Sequence, residues 1–268
     1  MNQGLYIIKI GGNIIDDESK LASFLRNFAS IKGNKILVHG GGKLATQLAG
    51  KLGIEQTLID GRRITDAETL KIVTMVYAGY INKNIVAQLQ ANGSNAIGLT
   101  GADGNSILAH KRKASSTGRG LEGADYGFAG DVDAINTDLV SGLLDRNITI
   151  VFAPITHNQQ GQLLNTNADT IAQELAKGLS NQYEVTLIYS FEKAGVLLDA
   201  DNDDTVIKEI NPGSYNKLKA DRKIFAGMIP KLDNAFTALN SGVKKVIIGK
   251  AEQLDLLIAG TAGTTISR

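Results

Sequence analysis

The residues with the most chemical content lie where short apolar runs end in glycine. Gly11-Gly12 follows a run that carries a single lysine, Lys9; Gly40-Gly41-Gly42 follows a second run and opens a helical pattern at Lys43. Glycine lets backbone N–H groups approach an anion closely, at the positive end of a helix dipole. The same loops also suit a plain strand-to-helix turn. An ammonium such as that of Lys9, withdrawn from water without an anion, costs several kcal/mol; the alternative is a strand-end lysine snorkelling to solvent. Lys231 follows Pro230 in the first turn of a helical pattern, where a cation opposes the macrodipole by roughly 0.3–1 kcal/mol. A bound phosphate reverses that penalty, whereas a solvated surface lysine avoids most of it. In Asn165-Thr166-Asn167-Ala168-Asp169, an N-cap and an acidic first turn account for Asn167 and Asp169 but leave Asn165 unexplained. Arg63 suits a bidentate grip on a carboxylate, or is an exposed loop arginine.

Other phosphate signatures fail. Gly118-x-Gly120-x-x-Gly123 fits the dinucleotide fingerprint in letters, but it follows a polar segment where a strand is needed. Gly42-Lys43 and Gly249-Lys250 lack the upstream glycine and the following Ser/Thr of a P-loop. His39, His110 and His157 are scattered and form no metal set; His39 reads as support for its glycine turn. With no cysteine, there is no thiol nucleophile, disulfide or Cys-ligated metal. What survives is positioning plus electrostatic neutralisation, the pattern of phosphoryl transfer.

The elements that must hold these residues are readable. Apolar, β-branched runs at 5–10, 35–38, 148–152, 185–189 and 245–248 alternate with helical periods. That alternation predicts βαβ units and a mostly parallel sheet covered on both faces, with ligands beyond the carboxyl ends of the strands. Thr65 and Glu68 predict a capping box opening an apolar-periodic segment that closes near Asn92-Gly93. At about 25 residues it is long, so a bend at Gly79 or a face for a second subunit is expected. A helix from Pro230 toward Leu239 and a hairpin or flap over 111–130 complete the pattern. The chain has 268 residues with 28 Lys+Arg against 27 Asp+Glu, enough length for a full core and no charge surplus for nucleic acid or an anionic membrane. At 43% hydrophobic and 21% charged it is not disordered. The chain shows no membrane-length apolar run or signal peptide, and its lack of cysteine fits a cytoplasmic protein.

Together the motifs resemble the amino acid kinase family. The resemblance runs through Ile8-Lys9-Ile10-Gly11-Gly12, Val38-His39-Gly40-Gly41-Gly42, Gly61-Arg62-Arg63-Ile64-Thr65 and Gly98-Leu99-Thr100-Gly101-Ala102-Asp103-Gly104. It continues with Gly127-Phe128-Ala129-Gly130-Asp131-Val132, the Asn165 to Asp169 run, and Gly227-Met228-Ile229-Pro230-Lys231. It implies an α/β fold, a three-layer αβα sandwich in two lobes: 1–178 for an acyl-amino acid and dimerisation, and 179–268 for ATP. The implied reaction moves the γ-phosphoryl of ATP to the side-chain carboxylate of N-acetylglutamate or a close N-acyl-glutamate such as N-succinyl, in arginine biosynthesis. Lys9, Lys231 and Asp169 would be catalytic, and Gly41, Gly42, Arg63 and Asn165 would bind substrate. Gly11, Gly12, Glu192, Gly195, Phe225 and Gly227 would bind the nucleotide, with Mg2+ held mainly through its phosphates and no protein metal site. Phe191-Glu192-Lys193 departs from the family's Ser/Thr-Asp pair. Because the chain begins at its first strand, the resemblance implies an arginine-insensitive homodimer. Alternatives are a kinase for another carboxylate, such as carrier-bound aminoadipate met by Lys111-Arg112-Lys113, or a non-catalytic ligand-binding relative.

Overall fold

A computed structural model of the chain describes residues 3–59, 62–113, 125–199, 201–221, 223–224 and 228–268. In chain order, the strands of its first half are β1 (Gly4–Ile10), β2 (Asn34–His39), β3 (Leu58–Ile59), β4 (Arg62–Arg63), β5 (Ala96–Leu99), β6 (Ile107–Lys111) and β7 (Ala129–Ile135). There follow β8 (Thr149–Phe152), β9 (Ile155–His157), β10 (Leu163–Thr166), β11 (Glu184–Phe191), β12 (Glu209–Ile210), β13 (Lys245–Lys250) and β14 (Thr264–Ile266). The helices are α1 (Gly12–Ile15), α2 (Glu18–Ser30), α3 (Gly42–Lys51), α4 (Ala67–Thr74), α5 (Asn82–Ala91) and α6 (Thr137–Leu144). The rest are α7 (Ala168–Leu179), α8 (Pro212–Ala220), α9 (Ile229–Asn240) and α10 (Leu254–Ala259).

The main sheet runs β12-β14-β13-β11-β1-β2-β8-β5, and only the β13–β14 pair is antiparallel. β1 lies inside it, paired with β11 on one side and β2 on the other. Alternation along β1 divides its side chains between two cores. Leu5 and Ile7 pack with Leu175 of α7 and Leu232 of α9, while Ile8 and Ile10 pack with Phe24 of α2 and Ala45 of α3. Helices thus cover both faces, giving the expected three-layer αβα sandwich and explaining why the strands read as nearly unbroken apolar runs. A second, smaller arrangement closes β10, β7, β6 and β9 on one another beside the sheet. β6 and β7 are antiparallel, forming the base of the expected hairpin. Residues 114–124 between them, with the fingerprint-like glycines, lie outside the described residues.

Two helix readings need correction. The cap of α4 is Asp66, which accepts the Thr69 amide at 2.7 Å; Thr65 is buried and instead donates to the Arg63 carbonyl at 3.0 Å. A carboxylate caps as well as a hydroxyl, and the hydroxyl was needed elsewhere. Nor is the long segment a single α-helix. Its centre, Met75–Ile81, is a π-helical stretch joining α4 to α5, a form that concentrates at functional sites. This stretch sets Tyr77 and Ile81 against the triple glycine: a Cβ on Gly41 would stand 2.3 Å from Ile81 Cδ1. With φ at +143°, Gly41 is therefore fixed by both backbone and packing.

Candidate active site

Continuing the alternation of β1, Lys9 emerges on the face that α7 covers. There its Nζ meets Asp169 Oδ1 at 2.8 Å. Asp169 is presented by the first turn of α7, where the Asn167 side chain accepts the amides of Asp169 and Thr170 at 2.8 and 3.2 Å. α9 packs in the same core as α7 and carries Lys231 in its first turn. Burial alone would raise the Asp169 carboxyl, but Lys9 first, then Lys231 and Arg62, hold it below the usual carboxylate range. Burial lowers the Lys231 ammonium, Asp169 and Glu192 oppose that, and Lys9 adds to it. The Lys231 Nζ also lies 4.7 Å from the Phe191 ring centroid. A strand lysine and a helix lysine, 222 positions apart, therefore act on one carboxylate.

Between these groups and the glycine loops lies a cleft of about 220 Å³ lined by Lys9, Gly11, Gly12, Gly41, Gly42, Arg62, Arg63, Asn165 and Asp169. Gly11 needs no special backbone freedom, with φ at −88°, and a Cβ there would find nothing within 4 Å among the described residues. What its lack of a side chain leaves open is the cleft itself. That space suits an anion on backbone amides. Gly42 starts α3. Arg63 is 8% exposed, so it is not a solvated loop arginine. Its Nη2 donates to the Gly42 carbonyl and to Thr46 Oγ1, each at 2.9 Å, and its Nη1 donates to Gln56 Oε1. The guanidinium is braced on α3 and lines the cleft from that position. Asn165, unexplained by capping, donates to Thr65 Oγ1 at 3.0 Å and so ties β10 to the arginine hairpin.

His39 supports the turn, as its position suggested. It is fully buried, with Nδ1 2.7 Å from the Gly40 carbonyl and Nε2 3.2 Å from Asn82 Nδ2. Those partners assign a neutral imidazole that donates at Nδ1 and accepts at Nε2. Burial pushes its pKa down to about 4.

Of the remaining expected positions, Glu192 and Gly195 are among the described residues. Glu192 is exposed and accepts from Asn13 Nδ2 at 2.6 Å, joining α1 to the end of β11. Gly195 does not line the cleft; a Cβ there would meet Val206 Cγ2 at 2.5 Å and Thr264 Oγ1 at 2.6 Å. Its glycine is thus explained by packing. Phe225 and Gly227 lie outside the described residues. Sequence reasoning missed Tyr77, Arg62 and, near Arg62, the Arg112–Asp131 ion pair at 2.6 Å. The signal for Arg62 was its adjacency to Arg63, which invites a choice of one when both reach the cleft. Among the described residues, no group of three His, Asp or Glu side chains could hold a metal ion. No helix there is long and apolar enough to cross a membrane.

Two lysines gathered on one carboxylate beside open glycine loops, on a doubly covered parallel sheet, define a phosphate-handling α/β protein. The amino acid kinase family profile matches residues 4–250, and the chain belongs to that family. It is 58% identical to the acetylglutamate kinase of Cytophaga hutchinsonii over 96% of this chain and 95% of that one. It is 52% identical to the acetylglutamate kinase of Bacteroides thetaiotaomicron, over 95% and 96% respectively. Among solved structures, the smu.665 protein of Streptococcus mutans superposes with a TM-score of 0.77 at 26% identity, covering 98% of both chains.

Proposed function

We propose that this protein is a kinase transferring the γ-phosphoryl group of ATP to the side-chain carboxylate of N-acetylglutamate, or of a close N-acyl-glutamate, for arginine biosynthesis. The names of its 58% and 52% identical relatives support the reaction. The observation that carries it is the convergence of Lys9 and Lys231 on Asp169.

In this reading a substrate carboxylate oxygen forms a bond to the γ-phosphorus. The bond from that phosphorus to the β–γ bridging oxygen breaks, and its electron pair leaves with ADP. Lys9 and Lys231 neutralise charge on the migrating group from two sides, and Asp169 keeps both ammonium groups aimed. Gly11 and Gly12 offer amides to the nucleotide phosphates; Gly41 and Gly42 offer theirs to the substrate side. Arg63 and Asn165 hold the substrate. The carboxylate is already ionised, so no general base is needed. Mg2+ would be held by the nucleotide phosphates and would supply further charge neutralisation there. Residues 1–178 form the substrate half and 179–268 the nucleotide half. The protein works in the cytoplasm as a homodimer, for which the exposed Met75 and Tyr80 on the π-helical stretch offer an apolar face.

The test is incubation with MgATP, hydroxylamine and a panel of N-acetylglutamate, N-succinylglutamate, aminoadipate and free amino acids. Hydroxamate from an N-acyl-glutamate is the expected result. Hydroxamate from none of the panel, or from aminoadipate alone, overturns the reading.

A further inference from the structure

Lys231 is half-buried in the first turn of α9, yet among the described residues it makes no hydrogen bond or ion pair. Asp169 and Glu192 favour its charge and Lys9 opposes it, none of them in a printed ion pair with it. Asp169 Oδ1 meets Lys9 at 2.8 Å, and Glu192 Oε2 accepts from Asn13 at 2.6 Å. What the Lys231 ammonium does meet is the Phe191 ring, with Nζ 4.7 Å from its centroid.

The strand pattern explains how the ring comes to be there. Leu187, Tyr189 and Phe191 alternate onto one face of β11, the face packed in the core shared with α7 and α9. Tyr189 is in register with Lys9 of β1, and its hydroxyl donates to the Asp169 carbonyl at 3.4 Å. Phe191, the next residue of that row, ends the strand against Lys231. It belongs to the segment that departs from the family's Ser/Thr-Asp pair. An ammonium is drawn to a ring face by the ring's quadrupole, and more strongly where water is partly excluded. A lysine head on a flexible four-carbon stem gains a fixed resting place from such a contact. Unlike a carboxylate, the ring cancels none of the charge and leaves the three N–H donors for an oxygen ligand.

We infer that Phe191 is a positioning residue for the transfer, its ring face holding the Lys231 ammonium while leaving charge and donors to the migrating phosphoryl group. This rests on the kinase reading and adds an aromatic support to the attraction of Asp169. The test uses the full chain with MgATP and whichever of N-acetyl-glutamate and N-succinyl-glutamate turns over faster. Phe191→Leu should lower kcat about tenfold, with both KM values within about threefold of wild type. Phe191→Tyr, which keeps the ring, should restore most of that loss. Mono-, di- and trifluorophenylalanine at position 191 weaken the ring's negative face with little change of shape, and kcat should fall stepwise along that series. A second readout needs no turnover: NMR titration of the Lys231 side chain, its signal assigned by loss in Lys231→Arg. The ring favours the charged form, so Phe191→Leu should move the Lys231 pKa down by about half a unit. The alkaline limb of kcat should move with it. A flat fluorine series overturns the inference, because the ring would then only fill space. A raised KM for ATP with kcat kept also overturns it, since Phe191 would then touch the nucleotide. So does an unchanged Lys231 titration in Phe191→Leu. Turnover of neither substrate by the wild type defeats the kinase reading, and with it the positioning role, even where the titration shows the contact.

Discussion

Lys9, Lys231 and Asp169 form a group in which each charge makes the others tolerable. Three cations face the Asp169 carboxylate, so the site favours further negative charge, which phosphoryl transfer delivers. Lys9→Ala or Lys231→Ala is expected to lower kcat by roughly 10²–10³-fold, with a much smaller change in ATP affinity. Steady-state rates and nucleotide titration check this, and near-normal kcat in both variants would remove their assigned roles. The two lysines were legible because each breaks a local rule: a lysine in an apolar strand and a lysine in a helix's first turn. Arg62 breaks none, since an arginine in a loop is ordinary. Only the folded neighbourhood, in which it lines the cleft near Asp131 and Asp169, reveals it.

At the scale of elements, the end of β2 is held by His39, which links the Gly40 carbonyl to Asn82 of α5; Asn82 in turn donates to the Val151 carbonyl of β8 at 3.0 Å. The imidazole is neutral in the fold, with a pKa of about 4, against about 6.5 when unfolded. The unfolded chain therefore takes up a proton in that window, and the fold does not. The stabilisation is complete above pH 6.5 and is lost as pH falls toward 4. Urea unfolding should show about 2 kcal/mol of stability lost from this group between pH 7 and pH 5. His39→Gln should be less stable at pH 7 but lack that part of the slope; an unchanged slope would mean that the histidine is already protonated. The glycine turn itself was readable, whereas the cap of α4 and the π-helical stretch were not. Thr65 and Asp66 are adjacent, comparable caps, and the demand on Thr65 came from Asn165, a hundred positions away. A π-helical stretch of seven residues is too short to set an apolar period of its own, so its widened turn leaves no clear trace in sequence.

For the whole molecule, the βα alternation announced the layered sheet well, because strands buried on both faces must be apolar at nearly every position. The small closed group of β6, β7, β9 and β10 was not announced: its strands are short, and two of its pairings join β10 to β7 and β6 to β9, far apart in sequence. The proposed homodimer is tested at this scale. Light scattering should give twice the mass of one chain, and Tyr80→Glu, which puts a charge on a residue 64% exposed, should give a monomer. A wild-type monomer would overturn the dimer.

The position of β1 shapes how the chain can be made. During translation β1 can pair with β2 early, but its other neighbour begins only at Glu184. Until that stretch leaves the ribosome, an apolar row of backbone donors and acceptors stays uncovered, inviting strand addition from other nascent chains. Premature termination before β11 should therefore yield an aggregating fragment in place of a stable half-protein.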